Sequence, residues 1–384
     1  MTVLLCISAT REESARLERN GPRRDYLELA SAVGGTILYR TAQSRRGVLG
    51  RLAGPHLRQA WIAARRLKRG DTCFADGEHI GIPLLALLFL FGKRRTRVVM
   101  LGHLVDPQWK RQLLRLTTRL TPGGTLVVHS VEQQRRIASV VARSWRVELV
   151  PYQVDTHYWT PSTSPAASKL VVAVGSENRD YETLARAVAS LDVEVEIAAG
   201  SHWARSIAGS SNPPPNLHYI EQTLPFSELR DLYGRAAIVV VPLYDVTNQS
   251  GVTVILEAMS MSKPVIVTAS RGQNECIQGP VMGSAGQLDY AATSGRGPRT
   301  FGDDDALNGQ TGVYVLPGDD AALGAAILAL TADPELARRI GSAGRRAAET
   351  HFTLERYVSA LTAIVHSQAR DAVVKVTANE GAPC

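Results

Sequence analysis

Two short stretches carry residues whose types and spacing suit an anionic ligand. The first is VVAVGSENRDYETL, residues 171–184. An apolar run ends in Gly175-Ser176, a polar loop carries Arg179, and a helical pattern follows. Glycine lets backbone approach a ligand. The N–H groups that open a helix favour an anion, and the Arg179 guanidinium offers a fork to phosphate oxygens. The same residues also suit an ordinary strand-to-helix turn capped by Asn178 or Asp180. The second stretch is NQSGVTVILEAMSMSKPVIVT, residues 248–268. Ser250-Gly251 opens a helix whose first N–H groups, at Gly251, Val252 and Thr253, would meet a diphosphate. Glu257 lies six residues after Gly251, where a carboxylate can accept two hydrogen bonds from a ribose diol. The plainer reading makes Ser250 an N-cap, with Val254, Ile255, Ala258 and Met259 turned to a core. Both can hold, because phosphates need only the helix tip.

Such residues work only if a scaffold brings them to one place. The chain reads as strands alternating with helices. MTVLLCIS (1–8), GGTILYR (34–40), RVVMLGH (97–103), GTLVVHS (124–130) and RVELVPY (146–152) are strand-like, as are KLVVAVGS, VEVEIAAGS, NLHYIEQ, AAIVVVPL and KPVIVTAS further on. DYLELASAVG, HLRQAWIAARRLKRG, ETLARAVASL, FSELRDLYGRA and DDAALGAAILAL have helical spacing. This alternation predicts parallel sheets covered on both faces, in two Rossmann-like doubly wound domains. In such sheets ligands sit at the carboxyl ends of strands, where both stretches fall. His103 closes one strand and His129, read as structural, closes the next. The expected division is 1–154, a linker at 155–169, 170–355, and a helix within 356–384 that packs back on the first domain before a tail. Segment 277–309 is Gly-rich and without period. Its Asp303–Asp305 could hold a cation or simply be solvated.

Composition narrows the classes. At 384 residues, with 45% hydrophobic, the chain holds more than one core. Four scattered cysteines lack metal or disulfide spacing and fit a reducing cytosol. The opening MTVLLCISATREE lacks the basic start of a signal peptide. IGIPLLALLFLFG (80–92) is too short to span a bilayer and reads as a buried helix. The net charge is +7, but residues 1–168 carry +14 and the remainder −7. Basic and apolar residues mix at helical spacing in GVLGRLAGPHLRQAWIAARRLKRG (47–70) and PQWKRQLLRLTTRL (107–120). That mixture fits an anionic membrane surface, an anionic acceptor, or a solvated helix face over a core. No nucleic-acid-binding motif is present.

LEAMSMSKPVIVT resembles the EAMA-x-G-KPVI-x-T signature of retaining glycosyltransferases of family four, also called glycosyl transferases group 1. VPYQVDTHYWTP, VAVGSENRDYETLARAV, FSELRDLYGRAAIVVVPL, NGQTGVYVLPGDDAAL and LARRIGSAGRRAAETHFTLERYVSAL resemble further family segments in the family's order. The likeness covers most of 125–361. It implies an α/β GT-B fold, two Rossmann-like domains facing a cleft. It also implies transfer of a sugar from a nucleotide-diphosphate donor with retention, no essential metal and no cofactor beyond the donor.

Residue by residue, the resemblance makes Arg179 the diphosphate ligand in place of the family's Lys. It places Gly175 and Ser176 at the donor, and Ser250 and the backbone of Gly251 to Thr253, Val252 included, at sugar or phosphate. Glu257 would bind the ribose as the second member of a Glu–seven residues–Glu pair. His103 would hydrogen-bond the donor sugar. The chain departs at Gln249, which replaces the first Glu of the pair, and at Ser176, which replaces an Arg. Gln249 still donates and accepts and is read as altering sugar preference. The expected donor is a UDP-sugar, with GDP-sugar second, and the acceptor a lipid-linked molecule or a glycan. The expected location is cytoplasmic, with the basic first domain against the inner face of the plasma membrane. Two other functions share the grip: a nucleotide-sugar epimerase and a non-catalytic donor-binding homologue.

Overall fold

The computed structural model describes residues 2–41, 54–162, 167, 169–200, 213–273, 275–289 and 310–379. It contains two compact units, one of residues 1–19, 23–151 and 355–384, the other of 20–22 and 152–354.

The first unit runs β1 Val3–Ile7, α1 Arg11–Asn20, α2 Asp25–Val33, β2 Thr36–Tyr39, α3 Pro55–Arg66, β3 Thr72–Ala75, α4 Glu78–Leu90, β4 Arg97–Leu101, α5 Gln108–Arg119, β5 Gly124–Val128, α6 Val131–Ala138 and β6 Trp145–Leu149. Its six strands are all parallel, in the order β2-β1-β3-β4-β5-β6. Successive strand residues point to opposite faces, and a parallel sheet must cover both. Leu4, Cys6, Val98, Met100 and Leu126 therefore meet one helical layer, α3 to α6, through Ala60, Ala63, Leu84, Leu85, Leu114 and Ile137. Leu5, Ile7, Val99, Leu101 and Val127 meet the other layer, which includes Leu29 of α2. A last helix, α12 (Leu354–Asn379), completes that layer with Tyr357, Leu361 and Val365. The stretch IGIPLLALLFLFG lies largely within α4, as expected, with Ile80, Leu84, Leu85 and Leu88 fully buried.

The second unit runs β7 Leu170–Val174, α7 Tyr181–Val188, β8 Glu194–Ala198, β9 Leu217–Ile220, α8 Phe226–Arg235, β10 Ile238–Val241, α9 Val252–Ser260, β11 Val265–Thr268, β12 Val281–Met282, β13 Leu288–Asp289, β14 Val313–Val315, α10 Asp320–Ala332 and α11 Pro334–His351. The sheet order is β13-β12-β14-β11-β10-β7-β8-β9, parallel except for the β12–β13 pair. At the start of the stretch read as a linker, Trp159 is packed edge-on against Tyr233 and Phe226. Arg345 of α11 donates to the carbonyl oxygens of Trp159 and Ser260 at 2.7 Å each, and to that of Thr156 at 3.1 Å. These bonds tie the segment to the end of α9.

Two strand readings need correction. β3, TCFA, went unseen in the sequence. It has only four residues, all buried, so it shows no alternation to detect. Segment 277–309, read as irregular, contains β12 and β13, whose two-residue lengths carry no period. Asp303–Asp305 lie outside the described residues.

The strand orders locate the ligand-binding crevices. In the first sheet, β2 and β3 leave β1 on opposite sides. In the second, β8 and β10 leave β7 on opposite sides. Ligands bind outside the carboxyl ends of strands at such reversals. The crevices therefore fall at Ser8 and Asp76 in one unit, and at Gly175 and Pro242 in the other.

Two outcomes follow for stability. Leu361→Ala should lower the unfolding free energy by about 2–5 kcal/mol, because Leu361 is 1% exposed against the first sheet. Leu328→Ala, at an exposed position of α10, should stay within about 0.5 kcal/mol; denaturant titration distinguishes them. His129, buried at the end of β5, has its Nδ1 2.9 Å from the Val150 carbonyl oxygen. Burial holds its pKa down to about 3. An unfolded histidine takes its proton near pH 6.5, whereas the folded one stays neutral until about pH 3. Its stabilising contribution is thus full above about pH 6.5 and is lost as pH falls through that window, at up to about 1.4 kcal/mol per unit. His129→Phe should flatten the fall, measured by thermal unfolding between about pH 6 and about pH 4. His79, held down to about 4 mainly by burial, retains part of it.

Candidate active site

In the second unit the two sequence stretches meet. β7 ends at Val174, and the chain then turns through Gly175 at φ 93° and Asn178 at φ 53°. Glycine takes that region freely and asparagine more readily than most residues. The turn folds Arg179 back beneath its own loop. Arg179 is 6% exposed, and its Nε donates to the Val174 carbonyl at 3.0 Å while Nη1 donates to that of Glu177 at 2.7 Å. Burial lowers the Arg179 pKa, yet the guanidinium remains charged at any physiological pH. It is packed between two glycines. A Cβ on Gly175 would lie 2.7 Å from Nη2, and one on Gly251 would lie 3.5 Å from Nη1 and 2.7 Å from Val241 Cγ1. Gly251 itself has φ 81° and is the N-cap of α9.

Backbone and side chains bind the two loops together. Asp180 N donates to the Pro242 carbonyl at 3.0 Å, and Tyr244 N to that of Asn178 at 3.1 Å. Arg179 and Leu243 form an isolated antiparallel bridge. Asn178 Nδ2 and Asn248 Nδ2 both donate to Ser250 Oγ, at 2.8 and 2.9 Å. The Tyr181 hydroxyl donates to the Gly175 carbonyl. Asp180 caps α7 by accepting from Thr183 N at 3.1 Å. The plainer reading of Arg179's loop thus holds for its cap. The N-cap reading of Ser250 is corrected: Gly251 occupies that position, and the Ser250 hydroxyl accepts from two asparagines. With no capping side chain at Gly251, the first N–H groups of α9, at Val252 and Thr253 among them, have no intrahelical acceptor.

The Arg179 fork is partly occupied. Nε and one Nη1 proton serve the loop, and a Cβ on Gly251 would lie 3.5 Å from Nη1 and 3.6 Å from Nη2, so both nitrogens lie near the start of α9. Gln249 is half-buried, with Nε2 3.7 Å from Cys276 Sγ. Its Oε1 is buried and, among the described residues, has no hydrogen-bond partner. Burial pushes the Cys276 thiol pKa far up, so it stays protonated. Glu257 lies further along α9, 6% exposed, and its Oε2 accepts from the Tyr233 hydroxyl at 3.0 Å. Burial first, and then the Glu257 charge, raise the Tyr233 pKa. Ser176 is exposed. Asn178, read in the sequence as one of two possible caps, instead donates to Ser250, and Asn248 and Tyr181 were not singled out; the asparagine beside the second glycine turn was the available signal.

In the first unit, His103 does not stand alone at its strand end. Its N donates to Glu78 Oε2 at 3.1 Å, and its Nε2 lies 2.9 Å from the Asp76 carbonyl oxygen. Glu78 also accepts from Lys110 Nζ at 2.7 Å, an ion pair with little exposure. Asp76 Oδ2 accepts from Ser8 N at 2.6 Å and Ser8 Oγ at 2.7 Å, while its Oδ1 is buried without a partner among the described residues. Burial raises the Asp76 pKa against the pull of Ser8, and it likewise raises that of Asp25, opposed by Tyr26 N–H. Sequence reading missed Asp76 because it missed β3, which delivers it. Among the described residues no cluster of three or more His, Cys, Asp or Glu could hold a metal ion.

Residues 168–293 match the family model "Glycosyl transferases group 1". A search of curated proteins finds no match. Solved structures are similar over nearly the whole chain. Sucrose-phosphate synthase from Thermosynechococcus elongatus shares 16% identity at TM-score 0.67, covering 96% of this chain and 99% of that one. HepE from Anabaena, in complex with UDP and glucose, shares 15% at TM-score 0.64, covering 96% and 100%. Trehalose 6-phosphate synthase from Burkholderia multivorans shares 12% at TM-score 0.59, covering 97% and 98%. By sequence across 168–293 the chain resembles glycosyl transferases group 1, and its two parallel-sheet units are the Rossmann-like halves of a GT-B fold.

Proposed function

We propose that the chain is a retaining, metal-independent glycosyltransferase that takes its sugar from a nucleotide-diphosphate donor, with UDP the first candidate for the nucleotide and GDP the second. The observation that carries this is the packing of Arg179 between Gly175 and Gly251 at the β7 switch point, beside an uncapped helix tip. The leaving nucleoside diphosphate develops negative charge as the sugar departs. The α9 N–H groups and the Nη2 edge of Arg179 offset that charge without reorganising. Gln249, two residues before Gly251, has a buried amide oxygen without a hydrogen-bond partner among the described residues and suits a donor hydroxyl on the sugar. Glu257, steadied by Tyr233, takes the ribose. His103 supplies a hydrogen bond to the donor sugar, and Asp76 and Ser8 beside it suit an acceptor hydroxyl. The UDP preference is supported by the family resemblance and by HepE, whose structure holds UDP and glucose.

The non-catalytic reading keeps one observation in its favour, since Gln249 and Ser176 replace charged family residues. A thermal-shift panel of UDP, GDP, ADP and TDP, with and without Mg²⁺, tests binding. Saturation at about 100 times Kd should add about 2.7 kcal/mol of stability, and the shift should not need Mg²⁺. Arg179→Ala should weaken the bound diphosphate by roughly 10- to 100-fold, the loss of a charged hydrogen bond of about 1.5–3 kcal/mol; unchanged affinity would remove Arg179 from the site. Release of free nucleoside diphosphate only when acceptor is present separates a transferase from an epimerase and from a mere binder. Gln249→Glu should change the ratio of kcat/KM between donor sugars while leaving affinity for UDP alone unaltered, measured by competition.

A further inference from the structure

We propose that the outer face of the α3–α6 layer, centred on α5, is a docking surface for an anionic lipid bilayer. Helix α5 has two apolar sides. Leu114 packs into the core shared with the sheet, and Thr117 and Thr118 near it are buried. Trp109, Leu113 and Leu116 lie on the other side at 60%, 41% and 58% exposure, spaced i, i+4, i+7 in one stripe. All three remain exposed among the described residues. Stripes of this size on a soluble surface mark an interaction site.

The charge around the stripe selects the partner. From residue 55 to 120, nine exposed side chains are Lys or Arg and none is Asp or Glu. Arg115 and Arg119 flank the α5 stripe directly. Helix α3 packs against α4, and α4 against α5, within the same layer on one face of the sheet. Its outward positions continue the pattern: Leu57 and Trp61 are exposed, and the Arg65 guanidinium lies 4.8 Å from the centre of the Trp61 ring. Aromatic rings with arginine stems alongside suit the boundary between headgroups and acyl chains. A protein partner would have to be both apolar at its centre and uniformly acidic around it, whereas an anionic bilayer has both properties throughout. No described helix is long and apolar enough to cross a membrane, so the contact is peripheral.

The proposal is independent of the donor site, so its test omits nucleotide. The purified chain is sedimented with vesicles of phosphatidylcholine alone and of an equal mixture with phosphatidylglycerol, at low and high salt. Binding is expected to the mixed vesicles only and to weaken with salt. The combined variant Trp109→Ser, Leu113→Ser, Leu116→Ser should bind at least about tenfold more weakly, with Tm unchanged because those side chains are exposed. Arg115→Ser with Arg119→Ser should reduce both binding and its salt dependence. Leu116→Asp alone gives the same reading if the combined variant fails to fold. Failure of the unaltered chain to bind the mixed vesicles would overturn the proposal. So would unchanged binding by the variants, or a self-association in centrifugation that the stripe variants abolish while vesicles bind nothing.

Discussion

The second unit is organised around one buried cation. A guanidinium at 6% exposure is costly unless its protons are taken up. Arg179 meets that requirement with the carbonyl groups of Val174 and Glu177, which forces the loop after β7 to curl over it. The curl needs backbone of positive φ at Gly175 and Asn178, and the space needs two residues without Cβ. From the same constraint come the bridge to Leu243, the shared Ser250 hydroxyl and the placement of the α9 tip. A positive charge held rigidly at a helix N-terminus creates an electrostatic preference for an anion before any ligand arrives.

The large-scale fold was legible because its signals repeat. Buried parallel strands are β-branched runs, and amphipathic helices fall between them, so an α/β architecture follows from periodicity alone. What escaped was local. TCFA has no alternation and is too short to stand out, and with it went Asp76, the residue that closes the polar cluster at His103. The residues proposed for the donor side were picked out by type and order. Their geometry was not, because a Ser-Gly pair before a helix reads equally as a serine cap or a glycine cap. The hydroxyl of Ser250 is drawn away by Asn178 and Asn248, which lie 72 and 2 residues distant in sequence. No local pattern encodes the first of those partners.

The first unit shows a different economy of charge. Its strand-end cluster holds two carboxylates whose pKa values burial raises, next to a histidine and a paired lysine. Its outer helices hold a cationic surface with little countercharge. Between residues 55 and 120 nine Lys and Arg side chains are exposed and no Asp or Glu is, while the polar groups inside are balanced against one another. Lys110 illustrates the boundary: its Nζ is committed to Glu78, yet it lies 5.6 Å from the ring centre of Trp109, whose indole belongs to the exposed stripe.

The placement of α12 has a consequence for biosynthesis. Tyr357, Leu361 and Val365 cover one face of a sheet whose strands lie between residues 3 and 149. During translation those strands leave the ribosome some two hundred residues ahead of their cover, with the whole of the second unit made in between. The second unit has its own cores and can condense vectorially as it emerges. The first remains an incomplete layer, with Leu5, Val99, Leu101 and Val127 open to nascent-chain chaperones, until α12 has been made.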